Sequence, residues 1–255
     1  MAQRPLAAII SFLLILCASG HLSGSAYATW LSFQNSCKDP IWPAFQSNAG
    51  KSVLGNGADG FELGAGAKKT VQLPAEWAGR VWGRTGCDFS KPTNGTPACL
   101  TGDCGDGRLQ CGGSGGVPPV TIFEITLSGY GGQDFYDVSL VDGYNLQMQV
   151  LPLDGSGNCS PAGCTRDLNS ACPSALQVKH GDNTIACKSA CAAFSSPEYC
   201  CTGTFGSPQT CKPTDYSRIF KDRCPTAYSY AFDDASSTFT CTNPEGYYIT
   251  FCPHS

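Results

Sequence analysis

The chain has little charge. Asp, Glu, Lys and Arg together make up 14% of its 255 residues, while 11% are aromatic. A disordered chain shows the reverse balance, so a packed core is expected. Positive charge is the scarcer kind: 16 Lys and Arg face 20 Asp and Glu, for a net charge of −4. Such a surface repels phosphate and excludes nucleic acid as a partner. Histidine occurs three times and no C-x2-C pair occurs at all, so there is no zinc motif. No cofactor and no metal are expected. The same shortage of histidine leaves few bases to activate a serine or cysteine nucleophile. Beyond Cys17 no apolar run is long enough to cross a bilayer, and no basic amphipathic helix is present, so stable membrane insertion is not expected.

Cysteine, glycine and proline are abundant instead, at 17, 30 and 17. That much Gly and Pro excludes a coiled coil or helical bundle. At the N-terminus Leu6 to Cys17 is an apolar run of signal-peptide length, and Ala26-Tyr27-Ala28 fits the small-x-small cleavage pattern. Residues 1–28 are therefore expected to be a signal peptide, with the mature chain starting near Thr29. Removing them leaves 227 residues, 16 cysteines and a net charge of −5. An even count in a secreted chain argues for eight bridges. The sequence ends at Pro253-His254-Ser255, directly after the last cysteine, and the expected location is the cell exterior.

Strand-like runs bounded by turn residues cover Thr29–Phe33, Thr70–Leu73 and Arg80–Arg84, then Val120–Leu127, Phe135–Val141 and Leu146–Leu151. Three more follow at Tyr228–Phe232, Thr238–Thr240 and Tyr247–Phe251. Many strands joined by short turns argue for a sandwich or barrel. Residues 87–111 hold four cysteines and little apolar content, so that stretch must be a stapled loop. Residues 159–224 hold nine cysteines, with helical pieces expected at Cys187–Phe194 and Tyr216–Cys224.

Two catalytic strings fail on context. Gly112-Gly-Ser114-Gly-Gly116 matches G-x-S-x-G but lacks a strand before it and a helix after it. Gly55-Asn56-Gly57-Ala58-Asp59-Gly60 matches G-x-G-x-x-G but leads into strand and turn rather than a helix. Sequons occur at Asn94 and Asn158, and Asn94 is the better glycosylation candidate because Cys159 interrupts the second. The remaining chemistry is acidic. Glu124 interrupts an apolar strand, Asp137 and Asp142 flank Val138–Val141, Asp134 lies upstream, and Asp233 and Asp234 follow a late strand. Paired carboxylates can protonate and attack a glycosidic linkage, or bind sugar hydroxyls without chemistry. By spacing alone they also fit solvated strands and turns.

The stretch Gly95-Thr-Pro-Ala-Cys99-Leu-Thr-Gly-Asp-Cys104-Gly-Asp-Gly-Arg-Leu-Gln-Cys111 resembles the signature of thaumatin-like proteins, plant pathogenesis-related group 5. Arg80–Cys87, Gly132–Asn145, Tyr199–Thr202, Cys224–Tyr230 and Phe251–Pro253 are similar to that family too, so the resemblance spans the mature chain. Pro97 and Gln147 depart from the usual pattern. The resemblance implies a mainly β fold: a flattened antiparallel β-sandwich of about eleven strands, a disulfide-rich lobe of short helices and a small stapled loop lobe. On that scheme residues 29–86, 112–163 and 225–255 form the sandwich, 164–224 the helical lobe and 87–111 the loop lobe. It also implies eight pairs: Cys37 with Cys252, Cys87 with Cys99, Cys104 with Cys111, Cys159 with Cys241, Cys164 with Cys224, Cys172 with Cys187, Cys191 with Cys200, and Cys201 with Cys211. An acidic ligand cleft is implied at Arg80, Glu124, Asp137, Asp142 and Asp233, with Asp234 adjacent to the last. The implied function is plant defence by a monomer that binds β-1,3-glucan or a related fungal wall polysaccharide, with antifungal effect. Weak endo-β-1,3-glucanase activity is the alternative, with Glu124 as acid and Asp137 or Asp142 as its partner. Phe135 and Tyr144 are expected to offer ring faces to sugars. A sweet-taste role is opposed by the charge of −5.

Overall fold

The computed structural model describes residues 27–55, 57–90, 96–105 and 107–253. Most of the expected signal segment and the sequon residue Asn94 lie outside the described residues. The strands are β1 (Tyr27–Asn35), β2 (Ile41–Ser47), β3 (Lys68–Pro74), β4 (Ala78–Thr85), β5 (Ile122–Thr126), β6 (Asp134–Ser139) and β7 (Met148–Leu153). They continue with β8 (Ala162–Cys164), β9 (Gln177–His180), β10 (Asn183–Cys187), β11 (Ala227–Tyr228), β12 (Phe239–Cys241) and β13 (Gly246–Phe251). The helices are short: α1 (Ala190–Phe194), α2 (Pro197–Cys200), α3 (Asp215–Arg223) and α4 (Asp234–Ser237).

Eleven of these strands make two packed sheets, one in the order β3-β1-β13-β7-β8 and the other β11-β6-β5-β4-β2 with β12 on β6. The mainly β sandwich is thus present, but it is mixed rather than wholly antiparallel. β1 runs parallel to β13, and β11 parallel to β6. The first parallel pair arises because the two ends of the chain lie side by side, and Cys37–Cys252 ties them together.

Period-two alternation sorts the side chains. Leu31 and Phe33 of β1, Tyr247 and Ile249 of β13, Phe123 and Ile125 of β5, and Tyr136 and Val138 of β6 all enter one core. Rings meet across the sheets, Phe33 against Phe45 at 5.6 Å and Tyr136 against Tyr247 at 5.2 Å. Full burial of each such ring contributes roughly 2–3 kcal/mol. Asp134 faces this core as well, accepting the Ser128 N–H and the Tyr247 hydroxyl, each at 2.9 Å. Burial raises its carboxyl above the ordinary value.

The opposite face of the second sheet carries a smaller cluster. Ala44, Trp82, Val120 and Ile122 pack beneath Cys104 and Cys111, so the stapled loop covers one end of that face. Arg84 pins the loop from below. It is fully buried, and its guanidinium donates to the carbonyls of Trp42 (3.0 Å), Arg108 (3.0 Å) and Leu109 (2.8 Å). Gly60 makes the approach possible, since a Cβ there would lie 2.0 Å from the Leu109 carbonyl oxygen.

The bridges join Cys37–Cys252, Cys87–Cys99, Cys104–Cys111, Cys159–Cys241, Cys164–Cys224, Cys172–Cys187, Cys191–Cys200 and Cys201–Cys211. Four of them hold the segment from Cys172 to Cys224, which has only short helices and a hairpin to support itself.

Several local expectations shift. Helix is expected from Cys187, but that residue ends β10, and α1 starts only after Ser189, whose hydroxyl accepts the Ala192 N–H at 3.1 Å. The second expected helix starts earlier, at Asp215, because Thr214 and Ser217 form a reciprocal capping box. The strand expected over Tyr228–Phe232 stops at Tyr228, because the Asp233 carboxylate turns the chain by accepting the Ser229 N–H and hydroxyl. The strand-like runs of the sequence do not single out β2, β8 or the β9–β10 hairpin. Gly112–Gly116 and the described residues of the other glycine-rich string, 55 and 57–60, lie outside the strands and helices.

Candidate functional site

The site is built on the face of the second sheet that the stapled loop leaves open. Register aligns three side chains across three strands: Arg80 of β4 lies opposite Glu124 of β5, and Glu124 opposite Asp137 of β6. Residues directly opposed in this way have Cβ atoms about 5 Å apart. A neighbouring rung sets Trp82 beside Ile122 and Ser139, and the next sets Thr126 beside Phe135. Alternation places all of these on one face, because each pair along a strand is two residues apart.

A cleft of about 340 Å³ lies over these rungs. Its floor is Arg80, Ile122, Glu124, Asp137 and Ser139, and its walls include Asp142, Tyr228 and Asp234. Asp142 is presented by the turn after β6. Gly143 has φ +95, and a Cβ there would lie 2.5 Å from Pro119, so only glycine lets the chain turn at this point. Tyr228 donates its hydroxyl to Asp234 Oδ1 at 2.8 Å and also contacts the Thr238 hydroxyl. Burial raises the Tyr228 hydroxyl well above the ordinary tyrosine value.

Four of the five expected cleft residues line this cavity: Arg80, Glu124, Asp137 and Asp142. Asp233 does not, and Asp234 occupies the fifth place. The carboxylate of Asp233 is consumed internally. Its Oδ2 accepts the Ser229 N–H at 2.9 Å, the Ser229 hydroxyl at 2.8 Å and an ion pair from Lys221 at 2.8 Å, and its Oδ1 accepts the Ser236 hydroxyl at 3.1 Å. Lys221, on α3, also donates to the Ala227 carbonyl and the Ser237 hydroxyl. Asp233 and Lys221 therefore shape the wall that presents Tyr228 and Asp234. Tyr144 is also excluded as a sugar platform, being 1% exposed and part of the core. Phe135 remains partly exposed on the cleft face, one rung beyond Asp137.

The electrostatics are uneven. Arg80 and Glu124 form an ion pair of 2.7 Å. Partly exposed, it contributes no more than about 1 kcal/mol. Asp137 sits deeper, and its Oδ1 is buried with no hydrogen-bond partner. Burial pushes the Asp137 carboxyl up to about 8, the charges of Glu124 and Asp234 push it the same way, and Arg80 only partly opposes them. At neutral pH the cleft thus holds a protonated acid beside an ion-paired carboxylate. Among the described residues no group of His, Cys, Asp and Glu could hold a metal ion, and no helix is long and apolar enough to cross a membrane.

Fold and site together define a class: a β-sandwich stapled by eight bridges, with an acidic cleft on one face of its second sheet. A family model described as Thaumatin family matches residues 35–253. A pathogenesis-related protein 5 of Arabidopsis thaliana is 54% identical over 226 residues, 89% of this chain and 91% of that one. A protein of Prunus avium named glucan endo-1,3-beta-glucosidase is 47% identical over 231 residues, 90% of this chain and 93% of that one. Among solved structures, a laminaripentaose-producing β-1,3-glucanase in complex with laminaritetraose aligns with a TM-score of 0.58 over 88% of this chain and 98% of that one. At 12% identity that likeness concerns the fold alone. The chain belongs to the thaumatin family.

Proposed function

We propose that this is a secreted, monomeric plant defence protein whose cleft binds β-1,3-glucan or a related fungal wall polysaccharide, with antifungal effect. The observation that carries the reading is the Arg80–Glu124–Asp137 rung. It presents a donor cation, an acceptor carboxylate and a protonated acid in one line on a rigid sheet. A hydroxyl-rich sugar chain both donates and accepts, and such an alternation matches it. Asp142 and Asp234 add acceptors on the walls. In this reading the sandwich segments 29–86, 112–163 and 225–255 carry the floor. The lobe 164–224 braces one wall, and the lobe 87–111 closes the end over Trp82.

Hydrolysis is a second reading, and the high pKa of Asp137 specifically favours it. Cleavage of a glycosidic bond needs one carboxyl that keeps its proton and one that has lost it. In this reading Asp137 takes the acid role expected of Glu124, because burial keeps the proton on Asp137. Asp137 would give its proton to the glycosidic oxygen as the bond to C1 breaks. Water would supply the new oxygen at C1 and leave its proton on Glu124. The name of the Prunus avium relative is in keeping with this.

The test pairs adsorption to insoluble β-1,3-glucan with reducing-end release on the same preparation. Adsorption by wild type and its loss in Glu124→Gln and Asp142→Asn are expected. Adsorption without release removes the hydrolytic reading and leaves the first. No adsorption removes both.

A further inference from the structure

A second cavity lies on the helical lobe, outside the acidic cleft. It measures about 480 Å³ and is lined by Tyr199, Tyr216 and Phe205 together with two acids, Glu198 and Asp215, and two bases, Lys212 and Arg218. Phe194 completes an aromatic triad there. Its ring lies 5.5 Å from Tyr199 and 5.2 Å from Tyr216, and the two tyrosines are 5.8 Å apart. Phe194 does not line the cavity itself but is 41% exposed beside the two tyrosines that do. The rings cannot move far. Cys191–Cys200 and Cys201–Cys211 lock α1 and α2, and the capping box fixes the start of α3.

The cavity is not isolated. A narrow pocket of about 50 Å³ shares Tyr199 and Tyr216 with it, and shares Val141 and Ala231 with the acidic cleft. The narrow pocket thus shares lining residues with both of these cavities.

From this arrangement we propose that the triad cavity is a second saccharide seat, which takes a neutral pyranose of the same polymer chain that enters the cleft. The proposal rests on the glucan reading of the cleft. The chemistry selects the ligand. Two acids offset two bases, and Arg218 is already paired with Asp215 at 2.7 Å, so the cavity has no net attraction for an ion. Aromatic rings with hydroxyl donors and acceptors at their rim suit an uncharged, polyhydroxylated ring with one apolar face. The rings pack against one another, which leaves no space between them for a quaternary ammonium group. Two seats on one rigid body raise affinity for a polymer without changing that of a short chain.

The experiment titrates the intact protein with laminarihexaose and follows ring-proton NMR signals of Tyr199 and Tyr216, in wild type and in Asp142→Asn. The expected result is a saturable shift of these signals in both. A companion adsorption isotherm on insoluble β-1,3-glucan compares wild type with Phe194→Ser and Tyr199→Ala, and about tenfold weaker adsorption is expected, with hexasaccharide binding in the cleft unchanged. Unmoved Tyr199 and Tyr216 signals at saturating hexasaccharide would overturn the proposal, as would variants that adsorb like wild type. Triad signals that shift while cleft signals do not would overturn the cleft reading and, with it, a seat shared by one chain, whereas shifted cleft signals beside unmoved triad signals would overturn the second seat alone. Phe194 is largely exposed, and retention of the wild-type unfolding transition by Phe194→Ser separates lost contact from lost fold.

Discussion

Asp137→Asn should change how stability depends on pH, and the size follows from the site. Asp137 ionises near 3.8 in an unfolded chain and near 8 in the fold. Between those values the folded state holds a proton that the unfolded state has lost. Stability contributed by this group is therefore complete below about pH 4 and is lost as pH rises towards 8. The slope is about 1.4 kcal/mol per pH unit, or ~4 kcal/mol from pH 4 to 7. Because the open cleft admits water to one side of the carboxyl, about half of that is the lower bound. Relative to wild type, Asp137→Asn should thus gain ~2–4 kcal/mol between pH 4 and 7, and no more above about pH 8. The assay is guanidinium unfolding with bridges intact, at several pH values, for both proteins. The same variant should lose any reducing-end release, since the amide cannot protonate a leaving oxygen. Parallel stability curves for the two proteins would refute the reasoning, because they would mean that Asp137 ionises normally in the fold.

Three further outcomes are expected. Arg84→Met leaves the carbonyls of Trp42, Arg108 and Leu109 without this donor, should cost about 1–3 kcal/mol for each that stays buried and unpaired, and should raise proteolysis at residues 104–111 while leaving the sandwich folded. Replacing Cys37 and Cys252 by serine opens the loop that spans a sequence separation of 215, and chain entropy sets the loss at ~5 kcal/mol, readable as a lowered denaturant midpoint. Asp233→Asn and Asp234→Asn should behave oppositely. The first weakens the Lys221 grip and lowers stability by roughly 2 kcal/mol, and the second leaves the unfolding free energy within ~0.5 kcal/mol but weakens glucan adsorption.

The architecture was legible because its signals are local or countable. Alternation in Phe135–Val141 and Tyr247–Phe251 marks strands whether or not their partners are known. Sixteen cysteines after the expected signal segment announce a stapled chain. What escaped depended on contacts made elsewhere. Tyr228–Phe232 has the composition of a strand, but Asp233 reaches back to Ser229 and ends it after two residues. Ser189 is an unremarkable serine until its hydroxyl meets the Ala192 N–H and postpones the helix past Cys187. The β9–β10 hairpin did carry a signal: Gly181-Asp182 separates Gln177–His180 from Asn183–Cys187. It was obscured by the expectation of helix in a cysteine-dense segment.

The site shows the same division. Residue types could be collected from the sequence, but the face each one takes depends on parity and register. Asp134 and Asp137 are three apart on one strand, so they point to opposite sides, one into the core against Tyr247 and the other into the cleft. Asp233 and Asp234 are adjacent, yet one is consumed by Lys221 and Ser229 while the other meets Tyr228. The assignment of the acid to Asp137 rather than Glu124 depends on register as well. Arg80 stands opposite Glu124 and two strands away from Asp137. The guanidinium therefore neutralises Glu124 directly, while the more buried Asp137 feels Glu124 and Asp234 as repulsion and keeps its proton. A one-residue slip of β5 would take Glu124 off the cleft face and break its ion pair with Arg80. The chemistry of this cleft is thus a property of sheet register first and of its carboxylates second.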